Sequence, residues 1–184
     1  MSKHEKNELL KAIIESLKND KDLILKANKL DIEESQNKLS NAMIDRLMLD
    51  DQRFEGILES IKNVISLDDP TGNILFTNER PNGMIVERVS VPLGVIGIIY
   101  ESRPNVTIDA TVLCLKAGNS VILRGGSECF NTNTAMVNSM QKAMRSKSVS
   151  ENIVQYVNTT DRAAVDYMLS KTVSYTHLRA HETL

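Results

Sequence analysis

The sequence predicts an α/β fold, and three observations carry the prediction. Strand-like and helix-like segments alternate from Leu93 to about residue 170, and repeats this regular imply parallel strands with right-handed crossovers and helices on the sheet faces. The apolar runs near 95–99, 120–123 and 153–157 each finish in a polar loop, as they do where ligands bind beyond the carboxyl ends of strands. The first third has apolar residues at helical spacing, and a turn-rich stretch follows it. The expected architecture is a Rossmann-like parallel sheet with flanking helices, preceded by a helical segment (1–67) and a β-hairpin (72–91).

In chain order, Leu9, Leu10, Ile13, Ile14 and Leu17 form one face of a first helix, with Lys and Glu on the other. Asp20 is expected to cap a second helix holding Leu23, Ile24, Leu25 and Ala27. Ser40 is expected to cap a third with Ala42, Met43, Ile44, Leu47 and Met48. Asp50 and Asp51 precede a fourth with Phe54, Ile57, Leu58, Ile61 and Ile65, where acidic residues suit the positive helix end. Turn signals at 69–73 and 78–83 bracket Ile74, Leu75 and Phe76, and 84–91 alternates apolar and polar residues as a half-buried strand would.

The repeat region 93–170 then opens with a strand over 95–99, followed by a helix over 106–116 that Gly118 terminates. A strand over 120–123 leads through Gly125 and Gly126 to a helix carrying Ala135, Met136, Met140, Ala143 and Met144. The strand over 153–157 leads through Thr160 and Asp161 to a helix with Ala163, Val165 and Met168. Met136, Met140 and Met144 form a stripe that reads as core.

Composition excludes several classes. A formal charge of −2 gives no bulk attraction to nucleic acid or an anionic membrane, so neither partner is expected. No apolar run reaches the roughly 18 residues of a membrane span, and the chain reads as cytoplasmic. Two cysteines build no disulfide framework, and no Cys/His cluster has zinc-ligand spacing. His177 and His181 stand four apart but lack an HExxH pattern, so no metal site is assigned.

Two strand ends carry the candidate chemistry. After the first, Pro104 biases Arg103 away from helix, and Asn105 either caps the next helix or contacts a ligand. After the second, Gly125 and Gly126 allow backbone amides close to an anion, and Arg124 offers a guanidinium fork suited to phosphate. Ser127 and Glu128 adjoin that turn. An ordinary glycine turn with a solvated arginine is the alternative. Cys114 lies on an apolar helical stretch and reads as a small buried hydrophobe, and Cys129 has no neighbouring histidine to serve as base.

The stretch VPLGVIGIIYESRPNVTIDATVLCLKAGNSVILRGGSE resembles glutamate-5-semialdehyde dehydrogenase, or γ-glutamyl phosphate reductase, of the aldehyde dehydrogenase superfamily, and LSNAMIDRLML is similar too. The resemblance implies an incomplete NADP-binding domain, the amino-terminal part of an oxidoreductase. That family reduces L-glutamyl 5-phosphate to L-glutamate 5-semialdehyde with NADPH in proline biosynthesis. It implies Asn105 as oxyanion donor and Arg124, Gly125, Gly126, Ser127 and Glu128 at the cofactor. It further implies a homo-oligomer and a functional association with glutamate 5-kinase. The family's nucleophilic cysteine lies in a motif that this sequence does not contain, so the chain alone is expected to be inactive. A non-catalytic nucleotide-binding or regulatory module is the alternative. From about Lys171, KTVSYTHLRAHETL departs from the family and resembles translated adapter or junction sequence, expected to be disordered or an artefact.

Overall fold

The computed structural model describes residues 1–101, 103–170 and 177–180. Four helices open the chain: α1 (Lys3–Asn19), α2 (Lys21–Ser35), α3 (Asn41–Leu47) and α4 (Asp51–Ser66). Their starts are mostly local in cause. At α1 the Ser2 hydroxyl accepts the Glu5 N–H while the Glu5 carboxylate accepts the Ser2 N–H, a reciprocal capping box. Ser40 accepts from Met43 N–H, and Asp50 from Arg53 N–H. Asp20 differs from expectation. It stands at the start of α2 without capping it, because its carboxylate accepts instead from Lys142 Nζ at 2.9 Å.

The hairpin consists of antiparallel β1 (Ile74–Glu79) and β2 (Ile85–Val89). The alternation over 84–91 predicts one buried face, yet β2 is exposed along its whole length. The physical reason is topological: the two strands form a sheet by themselves, leaving Ile74, Leu75, Phe76, Ile85 and Val89 in solvent.

The repeat region gives β3 (Val95–Ile99), α5 (Pro104–Lys116), β4 (Ser120–Arg124), α6 (Phe130–Ser146), β5 (Val154–Tyr156), α7 (Ala163–Ser170) and β6 (His177–Ala180). The sheet is parallel in the order β5-β4-β3-β6. The steps from β3 to β4 to β5 run in one direction, so right-handed crossovers put α5 and α6 on the same face. Gly118 ends α5 at φ +73°, and the Gly118 and Asn119 N–H groups close onto the Leu115 and Cys114 carbonyls, a left-handed stop that favours glycine. Four residues of the tail depart from the expectation of disorder, since β6 pairs parallel with β3. The rest of the tail, His181 included, lies outside the described residues.

The helical opening is the outer layer of this half. α1 and α2 pack on α6, and α4 packs on α5. Leu9, Leu10, Ile13, Leu17, Phe54 and Ile61 share one core with Ile108, Val112 and the sealed Met136, Met140 and Met144, each such side chain contributing about 1.5–3 kcal/mol through burial. Asn28 of α2 supplies polar specificity: its amide donates to the Leu47 carbonyl and its oxygen accepts from Leu49 N–H, which fixes the α3–α4 junction.

A buried ion pair clamps the start of the hairpin to α1. Lys6 Nζ lies 2.9 Å from Asp69 Oδ1 and 2.9 Å from Thr71 Oγ1. Burial pulls the Asp69 pKa up, but the Thr71 N–H and hydroxyl and the Lys6 ammonium outweigh it and hold it at about 2. The folded value lies below the ordinary 3.8, so this stabilisation is full above that pH and is lost as pH falls towards 2. Urea midpoints should therefore drop across that window, and Asp69→Asn should flatten the drop.

Candidate functional site

The carboxyl ends of β3 and β4 lie side by side, with Ile99 opposite Arg124. Beyond β3, Arg103 takes the N-cap position of α5 without a side-chain cap, and Pro104 takes the first helical position, where its fixed φ and missing N–H fit. Asn105 therefore falls inside the first turn and does not cap. Its Nδ2 donates to Asp109 Oδ2 at 3.1 Å, and Asp109 Oδ1 accepts from Ser60 Oγ of α4 at 2.8 Å. Asp109 thus fixes the carboxamide's orientation and leaves its second N–H to a further acceptor. Asn105 and Arg103 line a cavity of about 400 Å³ walled on its other side by α3 and α4.

Arg124 does not share that cavity. Leu123 belongs to the core under the helices, so strand alternation sends Arg124 to the other side of the sheet. It is 8% exposed, its guanidinium donates to the Gly125 carbonyl and to the Thr160 carbonyl at 3.2 Å, and its Nε has no partner. No carboxylate pairs with it among the described residues. The solvated-arginine alternative is thereby removed, and what remains is a buried cation at a strand tip.

The paired glycines are occupied by protein. A Cβ at Gly125 would stand 2.2 Å from Asn133 Nδ2, and one at Gly126 2.2 Å from the Glu128 carboxylate. Exposed Ser127 opens a 3-10 turn, Ser127–Cys129, with its Oγ 3.5 Å from Glu128. The amino end of α6 that follows is also taken. Asp31 of α2 accepts from the N–H groups of Asn131 and Thr132 at 3.1 and 2.8 Å, and from both side chains. A carboxylate from the helical layer thus sits where a phosphate would meet that helix dipole.

Under the strand tips runs a buried polar chain. Tyr100 Oη meets Thr107 Oγ1 at 2.7 Å, Thr107 donates to Asn133 Oδ1 at 2.7 Å, and Asn133 Nδ2 reaches Cys129 Sγ at 3.1 Å and Tyr156 Oη at 3.5 Å. Burial pushes the Cys129 thiol up to about 12 and the Cys114 thiol to about 11. Neither is a thiolate near neutrality, and both are closed to solvent, so neither is placed to act as a nucleophile. Among the described residues no cluster has the ligands for a metal, and no helix is long and apolar enough to cross a membrane.

Known proteins supply the deciding comparison. No protein-family model matches the chain. It is 46% identical over 165 residues to γ-glutamyl phosphate reductase of Thermodesulfovibrio yellowstonii, covering 89% of this chain and 40% of that protein. To the Bartonella tribocorum enzyme of the same name it is 50% identical over 169 residues, 91% of this chain and 41% of that one. The matched residues are similar to the corresponding part of these γ-glutamyl phosphate reductases. The chain spans about 40% of the length of these relatives. The fold agrees: the Thermotoga maritima γ-glutamyl phosphate reductase superposes with a TM-score of 0.96 at 36% identity, covering 100% of this chain and 44% of that chain. A probable aldehyde dehydrogenase from Listeria monocytogenes shares the fold at a TM-score of 0.64 and 16% identity.

Sequence reasoning missed Asp109 and Asp31. Asp109 carried a signal, standing four residues after Asn105 and so on the same helix face. Asp31 carried none, since its partners lie about a hundred residues away. The glycine packing sets a clear test. Gly125→Ala should cost about 1–3 kcal/mol, as overpacking does, because Asn133 must move. Gly56→Ala, in α4 with nothing within 4 Å of its Cβ, should stabilise by up to about 1 kcal/mol. Thermal midpoints moving in opposite directions would bear this out.

Proposed function

We propose that this chain carries NADPH-binding elements and an oxyanion donor of a cytoplasmic γ-glutamyl phosphate reductase of proline biosynthesis. That enzyme converts L-glutamyl 5-phosphate, NADPH and a proton into L-glutamate 5-semialdehyde, NADP⁺ and phosphate. The observation that carries the cofactor reading is Arg124: a buried guanidinium with an unpartnered Nε and no carboxylate partner among the described residues fits an incoming phosphate. An arginine in this part of a nucleotide-binding sheet suits the 2′-phosphate that distinguishes NADPH from NADH. Ser127 and Glu128 are the neighbours available to the ribose. Gly125 and Gly126 keep the turn close-packed.

Bound NADPH would supply the hydride. The chain's own contribution to the chemistry is Asn105. Held by Asp109, its remaining N–H donates to the oxygen that gains negative charge at the acyl carbon, a contribution of a few kcal/mol where such donors are preorganised. The nucleophile must come from the rest of the protein, because Cys114 and Cys129 are buried and protonated. The exposed apolar hairpin supports a homo-oligomer. Because an acyl phosphate hydrolyses readily, glutamate 5-kinase is a fitting functional partner.

Two measurements test this reading. The 184-residue chain should not turn over glutamate semialdehyde, phosphate and NADP⁺, but should bind NADPH weakly and in preference to NADH. Arg124→Gln should cut that preference at least tenfold, or about 1.4 kcal/mol; equal affinities of the unchanged chain for the two cofactors would sink the assignment. The hairpin is checked by sedimentation. Ile85→Glu should shift self-association of the chain towards monomer while leaving its circular dichroism unchanged.

A further inference from the structure

The cavity between α3–α4 and the first turn of α5 holds charges that do not cancel. Arg53 is neutralised in place, its guanidinium 2.7 Å from the Asp45 carboxylate and 2.9 Å from the Met48 carbonyl. Asp109 accepts from Asn105 and Ser60, which are neutral donors, and so has no counter-charge among these partners. Arg46 and Arg103 also line the cavity and have neither an ion pair nor a side-chain hydrogen bond among the described residues. Two exposed guanidinium groups without an ion pair, one carboxylate held only by neutral donors and the Asn105 amide therefore line one cavity.

We infer that this cavity is the subsite for the amino-acid end of the acyl substrate, with Arg46 and Arg103 holding its α-carboxylate and Asp109 complementing its α-ammonium. Guanidinium forks match a carboxylate with paired N–H donors. About 400 Å³ accommodates a five-carbon chain, and Met48, Ile57 and Pro104 offer apolar wall to its methylenes. The choice of ligand rests on the reductase reading, whereas the charge pattern does not.

The test is an NMR titration of the full 184-residue chain with L-glutamate as probe, with a parallel titration with NADPH. L-Glutamate should shift the Asn105 side-chain amide and the Nε–H signals of Arg46 and Arg103, with half-saturation below about 10 mM. The double variant Arg46→Gln/Arg103→Gln should weaken binding at least tenfold. Arg145→Gln, whose side chain pairs with Glu151 outside this cavity, should leave it unchanged. No binding of L-glutamate by a chain that still binds NADPH would overturn the subsite and leave the reductase reading intact. Binding that the double variant does not weaken, in a protein with unchanged backbone signals, would overturn it too. L-Glutamate binding that depends on the two arginines, without NADPH binding, would uphold the subsite and count against the reductase reading.

Discussion

The carboxylate of Asp31 is the contact on which the arrangement of the two layers depends. It is 2% exposed and accepts four hydrogen bonds from Asn131 and Thr132, at the start of the helix that follows the glycine turn. Burial raises its pKa against the pull of those donors. The helix end offers unpaired N–H groups and a positive dipole, and a carboxylate from α2 satisfies both. Docking of the helical layer and capping of α6 are thus one event. A change that frees Asp31 would strand N–H groups on one side and a carboxylate on the other, each at a cost of about 1–3 kcal/mol or more.

That contact also limits where an anion can bind. In many nucleotide-binding sheets the phosphates meet the amino end of a helix just after a glycine turn. Here that end is taken, the space beside Gly125 is filled by Asn133 and Tyr100, and the space beside Gly126 is filled by Glu128. The buried chain from Tyr100 through Thr107 and Asn133 to Tyr156 makes this filling rigid, because each hydroxyl or amide is held by the next. The strand tips therefore present side chains, not open backbone, with Asn105 on the helical side and Arg124 on the other.

The sequence made the repeat order, the strand positions and the stop at Gly118 legible because each has a local cause. An apolar run, a proline at the first helical position and a glycine in the left-handed region act over a few residues. Ser40 caps as expected for the same reason, and Asp50, expected only to suit the positive helix end, caps α4 as well. Asp20 was misread because capping is a competition, and Lys142, 122 residues away, won its carboxylate. The hairpin's alternation reports a strand with two unlike faces, but nothing in it reports whether a neighbour covers one. Asn105 was legible as a candidate, although Pro104 moved the helix start far enough to bring it inside the first turn and out of the capping position. Arg124 was legible as a cation at a strand end, while its burial depends on the Thr160 loop folding over it.

Comparison of three buried cations shows why Arg124 differs from ordinary structural charges. Lys6, 3% exposed, is matched by Asp69, so its charge is compensated within the fold. Lys116, also 3% exposed, has only neutral acceptors, Asn7 Oδ1 and the Ile65 carbonyl, and burial lowers its pKa; an ammonium can relieve such a site by releasing its proton. A guanidinium cannot, because it does not give up its proton in proteins. Arg124 therefore keeps its charge whatever its surroundings, and two backbone carbonyls supply only partial negative charge. A buried ion without a counter-charge costs several kcal/mol, and nothing packed around Arg124 among the described residues offsets it. An anion from outside the chain would, and a phosphate matches both the charge and the fork geometry.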